Sequence, residues 1–377
     1  MLRRPPSRLA VSLLPLSLGL LLAPGCGRDH QLGITTSSTT TTTTGSGGAG
    51  GTGGAGGATG SAGGAGGTGG TPSTSSSGSG GQGGDEPSGP PQLTIVNGVN
   101  DYDAIRICFL PYPAGDPAAL PWPSSAAGLA FAGAAVINPI SSAIPAGTDV
   151  RPHVIAGDLQ QTAGKTCGQI LALAGADPAP IVVTPLAVVP AQAFTSERSL
   201  LLAPIGCLGG PGHDGPTSQL ACGNTYSPAT PTASIVALGM SRKNDPFKMT
   251  FQVVNASTAL QPTDVQIRPG FSMSTDVLMA TNVSTGEIAP KPPFMGITLA
   301  TLGAVSDVKV ETFLPMQQQM FMTASVPLPE AIAHGTVSVE DIDDGAGLVL
   351  VAVGGYPGVD PGSPYHKLTF TLIKADP

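Results

Sequence analysis

The sequence predicts an all-β protein in which two tandem β-sandwich domains follow a secretory signal and a low-complexity linker. Between residues 93 and 377 the apolar runs are short, rich in β-branched residues and bounded by Gly, Pro, Asn or Asp. Such runs, with turn residues between them, are typical of β-sandwiches. Only Thr166–Ala174 has a helical pattern. A set of motifs recurs in the same order in both halves of this segment, which indicates a duplication.

The first 25 residues have the pattern of a secretory signal peptide. Arg3, Arg4 and Arg8 precede an apolar stretch, Leu9–Ala23, that is too short and too interrupted by proline for a comfortable membrane span. Its end resembles the bacterial lipobox, in which small residues precede a cysteine that is acylated and becomes the new N-terminus. The resemblance implies that Cys26 is lipidated. The alternative is an ordinary secretory signal with this cysteine merely nearby.

A lipidated N-terminus would place the protein at a membrane. One acyl chain holds a protein only marginally, whereas two or more anchor it stably. The multiple acylation that the resemblance implies therefore predicts a permanent lipid anchor in the outer membrane or at the cell surface of a Gram-negative bacterium. Membrane lipid is the first expected partner.

The charge balance excludes nucleic acid as an expected partner. The chain carries 16 basic and 24 acidic residues, a formal net charge of −8. Removal of a signal peptide with three arginines and no acidic residue leaves 13 basic residues and a net charge of −11. Nothing then supplies the basic face that phosphate backbones require.

Residues 26–92 consist largely of Thr, Ser, Gly and Ala, in runs such as TTTTTT and GGAGGTGGAGG. A segment of this composition has too little apolar surface to offset its ordering entropy. We therefore expect a disordered tether. A flexible coil of about 65 residues has a root-mean-square reach of roughly 45 Å.

Three motifs recur at nearly fixed spacing in the remaining chain. Each pair places the same residue type at the end or the start of an apolar run: Asn97 with Asn255, Asp149 with Asp307, and Gly206 with Gly354. The offset is 158 positions for the first two pairs and 148 for the third. We therefore predict domain 1 at residues 93–245 and domain 2, its repeat, at residues 246–377. Each Asn is expected to serve a turn, because Asn tolerates left-handed backbone and bonds its own backbone.

These motifs are similar to a domain family of unknown function, number 4397, found in bacterial envelope proteins. The shared pattern is an opening apolar-Val-Asn followed later by Asp-Val-x-Ile, with LVLVAVGG near the end of the second copy. The resemblance covers about 280 residues and implies an immunoglobulin-like fold for each copy. The pair Gly206-Cys207, followed by the loop CGNTY that begins at Cys222, also resembles myxobacterial lipoproteins. The family brings no established catalytic residues.

Four cysteines remain after Cys26, and all lie in the first copy: Cys108, Cys167, Cys207 and Cys222. An even count in a secreted chain suggests two disulfides, for which three connectivities exist. We expect Cys108 to pair with Cys167, and Cys207 to pair with Cys222 across the intervening loop. The alternative, a zinc site, needs close spacing such as C-x-x-C, which the sequence lacks.

Two clusters of polar residues suggest chemistry. His213 and Asp214 are adjacent in a Gly/Pro-rich loop and could form a general base with its orienting acid, although neighbouring side chains rarely adopt that geometry. Asp341, Asp343 and Asp344 could attract calcium, although the EF-hand register fails and an Asp-Gly turn explains the same residues. No other metal site and no cofactor are expected.

The sequence therefore favours a non-enzymatic envelope lipoprotein that presents two β-sandwich modules on a flexible stalk. Adhesion, envelope structure or the binding of an unidentified protein or glycan ligand are its expected roles. Two alternatives stay open. One is a secreted hydrolase that uses His213 and Asp214, and the other is a calcium-stabilised binding module.

Overall fold

The computed structural model describes residues 92–194, 199–215, 217–243, 245–258, 260–270, 276–291, 295–314, 322–355 and 363–375. The predicted signal peptide, Cys26 and all of the predicted tether except Gln92 lie outside the described residues. The described part is mainly β, and its open sheets are consistent with β-sandwiches. The all-β prediction is confirmed.

In the described residues, nine strands precede residue 245 and nine follow it. The first nine are β1 Leu93–Val96, β2 Gly98–Val99, β3 Ala104–Pro111, β4 Leu129–Ala130, β5 Ala134–Ile137, β6 Val150–Gly157, β7 Ile181–Pro185, β8 Ser199–Gly206 and β9 Ser234–Met240. The others are β10 Met249–Asn255, β11 Thr263–Arg268, β12 Val277–Val283, β13 Ile288–Ala289, β14 Met295–Ile297, β15 Lys309–Phe313, β16 Met322–Pro327, β17 Gly347–Val353 and β18 Thr369–Lys374.

The helices are short. They are α1 Cys167–Ala174, α2 Ser218–Cys222, α3 Leu299–Leu302 and α4 Leu328–His334. Single 3₁₀ turns lie at Ile140–Ser142, Leu159–Thr162, Ala191–Phe194, Val305–Asp307 and Val339–Asp341. Helix α1 is the helix that the sequence predicts, and it begins after Thr166, whose side chain accepts a hydrogen bond from the Gln169 amide. In the described residues, no helix is long and apolar enough to cross a membrane.

The first half forms two sheets. In its inner sheet, β1 lies between β5, which is antiparallel to it, and β8, which is parallel to it. Strand β9 pairs antiparallel with the other edge of β8, and β2 continues the pairing of β1 beside β8. The outer sheet has the order β4-β3-β6-β7, with antiparallel pairs throughout.

The second half repeats this topology. In its inner sheet, β10 lies between β17, which is parallel to it, and the short antiparallel strands β13 and β14, and β18 pairs antiparallel with β17. The outer sheet has the order β12-β11-β15-β16.

The register of the inner sheets reproduces the offsets of the sequence motifs. Leu93 lies opposite Leu200 in the first half, and Phe251 lies opposite Leu348 in the second. The β1 and β10 positions differ by 158, and the β8 and β17 positions by 148. The two motif offsets therefore correspond to one strand pairing that is built twice.

The outer sheets agree at the same offset. Cys108 on β3 lies opposite His153 on β6, and Gln266 on β11 lies opposite Glu311 on β15. Both members of the pair are displaced by 158 positions between the halves. The residues differ in chemistry although their places in the sheet are equivalent.

Both inner sheets are covered on both faces. In β8, Leu200 and Leu202 belong to the core between the two sheets of the first half, whereas Leu201 and Ala203 belong to a cluster that the two halves share. This shared cluster comprises Val96, Ala132, Leu201, Ala203, Ile205, Val236 and Met240 from the first half, with Val254, Ala256, Val349, Val351, Val353, Ile373 and Ala375 from the second.

The sheets therefore stack as four layers, with the two inner sheets back to back. Strands that are buried on both faces read as continuous apolar runs instead of alternating ones. This explains the runs SLLLAPIG in β8 and GLVLVAV in β17, in which every residue is buried. In these two strands the absence of alternation records the contact between the halves.

Asn97 directly follows β1, and its side chain is buried and hydrogen-bonded at both ends. Its Oδ1 accepts a hydrogen bond from the Val99 amide at 3.0 Å, and its Nδ2 donates to the Leu129 carbonyl oxygen at 2.9 Å. The predicted bond to its own backbone is confirmed. The left-handed conformation is wrong, because among the described non-glycine residues only Ala132 and Asn282 have positive φ.

Asn255 is fully buried and makes the same two bonds at the end of β10. Its Oδ1 accepts from the Ser257 amide at 3.1 Å, and its Nδ2 donates to the Val283 carbonyl oxygen at 3.0 Å. A buried amide with both ends bonded is a structural group. The repeated Asn therefore closes the gap between the inner sheet and the outer sheet of each half.

We predict that Gly206→Ala and Gly354→Ala each lower the free energy of unfolding by roughly 3–5 kcal/mol. Both glycines have positive φ, +84° and +101°. An added Cβ would lie 2.5 Å from the Thr232 carbonyl oxygen at Gly206, and would also overlap the Lys367 carbonyl oxygen at Gly354. Urea denaturation of the mature chain measures the loss.

The matched control is Gly212→Ala. Gly212 also has positive φ, +85°, but nothing lies within 4 Å of its added Cβ. Only the backbone cost of about 1–2 kcal/mol should remain there. Equal losses at Gly206 and Gly212 would show that the carbonyl contact plays no part.

Candidate functional site

The polar residues that could carry chemistry gather at one end of the four layers. At this end, which we call the distal end, the parallel strands of both halves end at Gly206 and Asn255 or directly before Asn97 and Gly354. The two halves meet here closely, since a Cβ added at Gly98 would lie 3.2 Å from Val353 Cγ1.

The centre of this end is a buried carboxylate, Asp101. Its Oδ1 accepts a hydrogen bond from the Leu208 amide at 3.0 Å, and its Oδ2 accepts one from the Gly209 amide at 2.7 Å. His213 Nδ1 lies 3.5 Å from the same Oδ2. The two amides come from the chain directly after β8, so Asp101 fixes the start of that loop on the turn after β2.

The His213 ring is packed inside the loop. It stacks on Tyr102 with a centroid distance of 4.5 Å, and only 12% of its side chain is exposed. The His213 carbonyl oxygen accepts hydrogen bonds from the hydroxyls of Tyr226 and Tyr365. Because Tyr365 belongs to the second half, this loop of the first half is a contact between the halves. We call Asp101, Tyr102, His213, Tyr226 and Tyr365 the distal cluster.

The three phenols of the distal cluster are held neutral. Burial is the largest effect and raises the pKa of Tyr102, Tyr226 and Tyr365 above its usual value, and the negative charge of Asp101 acts in the same direction. Tyr102 uses its hydroxyl to donate to the Gly209 carbonyl oxygen at 2.7 Å. All three tyrosine hydroxyls donate hydrogen bonds to backbone carbonyl oxygens.

A second contact between the halves lies beside the cluster. The His366 ring stacks on Phe131 with a centroid distance of 4.0 Å, and its Nε2 lies 3.4 Å from Asp103 Oδ1. The His366 amide donates to the Asn100 carbonyl oxygen at 2.9 Å. Burial lowers the pKa of His366, and the Asp103 carboxylate opposes this effect in part.

Both disulfides have the pairing that the sequence suggests. Cys207 pairs with Cys222 and closes the loop that carries His213. Cys108 pairs with Cys167 and ties α1 to the outer face of β3, where both sulfurs join an apolar cluster.

His213 and Asp214 are not a pair in the structure. The His213 ring turns inward to Asp101 and Tyr102, whereas Asp214 lines an open cleft of about 320 Å³ beside Gly210 and Gly212. A hydrolytic triad also needs a positioned nucleophile. Within the described residues, no hydroxyl or thiol is hydrogen-bonded to the His213 ring.

A second open cleft, of about 310 Å³, adjoins the distal end. Its lining includes Tyr102, Asp103, Gly157, Asp158 and Gln160. The two clefts present the carboxylates of Asp103, Asp158 and Asp214 to solvent. Their chemistry disfavours anionic ligands.

The loops around the second cleft are held by Arg106, a buried guanidinium at the start of β3. Its Nε donates to Pro123 O at 3.0 Å, its Nη1 to Thr162 O at 3.0 Å and its Nη2 to Ser124 O at 2.9 Å. Burial lowers the pKa of Arg106. The guanidinium is buried and thus positions these loops through their carbonyl oxygens.

The aspartates considered for calcium have separate structural roles. Asp341 accepts from the Ser338 amide at 2.8 Å and from Lys374 Nζ, and these contacts hold its pKa well below the usual range. The Asp343 carboxylate accepts a hydrogen bond from the Asp344 amide. The Asp344 carboxylate accepts one from the Leu299 amide at 2.8 Å. Among the described residues, no group of three or more His, Cys, Asp or Glu could hold a metal ion.

Sequence reasoning missed Asp101, Tyr102, Tyr365 and His366. Each lies beside a motif that the sequence does show, because the first two follow Asn97 and the last two precede β18. The usable signal was positional: polar and aromatic residues that follow equivalent strand ends in the two copies must meet if the copies pack side by side.

In comparisons with known proteins, no family model and no curated protein matches the chain.

We predict that the folded chain loses stability as the pH falls from about 7 to 5. Burial is the largest effect on His366 and His153 and lowers the pKa of both. In the unfolded chain His has a pKa of about 6.5, so the unfolded chain takes up protons first as the pH falls. The free energy of unfolding therefore falls as the pH falls through that value. Urea denaturation at a series of pH values measures the slope.

His366→Gln should reduce this acid loss, because one of the two titrating groups is removed. Asp103→Asn should enlarge it, because its charge opposes the effect of burial on His366. An unchanged slope in both variants would show that the contact between His366 and Asp103 is not linked to protonation.

Proposed function

We propose that the protein is a non-enzymatic, membrane-anchored envelope lipoprotein that presents two immunoglobulin-like β-sandwich modules on a flexible stalk. The modules correspond to residues 93–245 and 246–377. They serve adhesion, envelope structure or the binding of a protein or glycan ligand. The lipobox resemblance at Cys26 and the resemblance of the repeat to domain family 4397 support the envelope part of this proposal.

The observation that carries the non-enzymatic part is the use of the distal cluster. Its carboxylate and phenols are hydrogen-bonded to backbone groups, its imidazole is packed against Asp101 and Tyr102, and Tyr365 brings the second half into the same network. A general base must instead face a proton on a bound substrate. The polar residues of this end act as a joint between the halves.

The stacked inner sheets support a display role in a second way. The shared apolar cluster couples the two repeats, so they move as one body on any stalk that carries them. A body of this kind presents both open clefts from one end at a fixed spacing. Fixed spacing favours a partner that contacts both clefts, because a second contact on a rigid body costs little additional entropy.

We predict that the wild-type protein is recovered with membranes and that Cys26→Ser is recovered in the soluble fraction. Loss of the acylated thiol removes the only lipid attachment that the proposal contains. Fractionation of cells that express either form, followed by extraction with salt and then with detergent, measures the partition. The wild type should resist salt and be released by detergent.

The control is the redox state of the body, which should be the same in both forms because Cys108, Cys167, Cys207 and Cys222 are paired with each other. Release of wild-type protein as a soluble species would refute the anchor. A hydrolytic activity that His213→Ala abolishes would refute the non-enzymatic assignment.

A further inference from the structure

The turn between β9 and β10 exposes a large aromatic side chain. Phe247 is 78% exposed, more than any other large hydrophobic residue among those described. A single exposed apolar residue is ordinary in a soluble protein. The location of Phe247 and the hydrogen bonds that hold its turn distinguish it from such a residue.

The turn is held in one conformation. Asp245 Oδ1 accepts a hydrogen bond from the Phe247 amide at 2.9 Å, and the Asp245 carbonyl oxygen accepts one from the Lys248 amide at 3.2 Å. The Lys248 carbonyl oxygen in turn accepts from the Gly345 amide at 3.2 Å, which ties the turn to the loop before β17. The aromatic ring is therefore presented outward by a fixed backbone.

The turn lies at the end of the four layers where the chain enters from the predicted tether. Leu93, the first residue of β1, pairs with Leu200, which pairs with Gly239 near the end of β9. Two strand spacings amount to about 10 Å, so Gln92 and the chain that leaves β9 lie at the same end. The distal cluster and both clefts lie at the opposite end.

The surroundings of Phe247 suit an interface between water and lipid. Lys243 and Lys248 are exposed near Phe247 in the sequence. A second apolar residue, Leu299, is 36% exposed next to the loop that holds the turn. Of the nearby carboxylates, Asp245 and Asp344 each accept a backbone amide. The face therefore combines an apolar tip with charges of both signs and lacks a strong net charge.

We propose that this tether-end face, formed by Phe247, Lys243, Lys248 and Leu299, docks on the surface of the lipid bilayer that carries the anchor. The inference rests on the proposed function, because it needs the anchor to hold the body near the bilayer. The predicted tether of about 65 residues has a root-mean-square reach of roughly 45 Å, so it would hold the body close to the surface. At that effective concentration, one aromatic side chain and two flanking lysines suffice for contact that would be too weak in free solution.

Docking at this end fixes the orientation of the body. The parallel strands of the inner sheets run from the tether end to the distal end, so the clefts that contain Asp103, Asp158 and Asp214 face away from the bilayer. The face that has carboxylates in open clefts is then available to a partner, and the face with the aromatic tip is not.

The test attaches the mature chain to vesicles by chemistry instead of by cellular acylation. Cys26 is the single thiol outside the two disulfides, so it can be coupled to a maleimide lipid in phosphatidylcholine vesicles. In a Trp122→Phe background, Phe247→Trp reports the depth of the turn through quenching by lipids brominated on the acyl chain. Its emission should fall by about half or more and shift to shorter wavelength, since interfacial residues reach the acyl boundary.

The matched control is Leu120→Trp in the same background. Leu120 is 71% exposed and lies beside the loop whose Ala119 carbonyl oxygen accepts from the Cys167 amide, on the outer face of the first half. Its emission should be unchanged by the brominated lipid. Equal quenching at both positions, or none at position 247, would overturn docking at the tether end.

A salt series separates apolar docking from electrostatic attraction. Quenching at position 247 should persist in 1 M salt, where screening extends to about 3 Å, and its disappearance there would overturn an apolar contact. Because Cys26 is coupled chemically, a negative result here and a soluble wild-type protein in the fractionation experiment are separate failures. The first refutes the docking face, and the second refutes the anchor.

Discussion

The back-to-back contact of the two inner sheets is the constraint on which the rest of the structure depends. It buries Leu201 of β8 and Val349 of β17 in one cluster, on the faces opposite to the core of each half. Neither inner sheet can be exposed without uncovering a continuous apolar face, which a soluble domain rarely tolerates. The same contact aligns the parallel strands of the two halves, so their following loops meet at one end. The distal cluster exists because of that alignment.

The halves differ where their outer sheets face away from the cores. In the first half, α1 covers the outer face of β3, and Cys108 reaches Cys167 of the helix beneath it. At the place equivalent to Cys108, the second half has Gln266, whose amide donates to Glu311 at 3.1 Å. Arg268 also pairs with that buried carboxylate at 3.0 Å. One copy closes its outer face with sulfur and apolar packing, and the other closes it with a bonded polar network.

Local pattern predicted much of the fold, because strand runs, turn residues and repeat offsets are properties of short segments. The strand pairing follows the 158 and 148 offsets, and the disulfides have the expected pairing out of the three that four cysteines allow. The partner of His213 could not be predicted in this way. Sequence proximity suggested Asp214, but the loop places Asp101 beside the ring, and that carboxylate lies before β3. Continuous apolar runs such as GLVLVAV are the pattern of strands that are buried on both faces, so they were the sequence signal for the contact between the halves.

The structure gives the two ends of the body opposite characters, and this difference follows from the order of its strands. Strands β1 and β10 both leave the tether end, so the distal end receives every loop that follows a parallel strand. Those loops include His213 and Asp214, which the sequence offered as catalytic candidates. Asp101 instead accepts hydrogen bonds from the Leu208 and Gly209 amides, and the stacked His213 imidazole lies 3.5 Å from its Oδ2. A buried carboxylate costs several kcal/mol unless it is bonded, so these contacts are the condition for joining the halves at all. The carboxylates that stay exposed to solvent at this end are those that line the clefts, Asp103, Asp158 and Asp214, and they lie around the joint and not inside it.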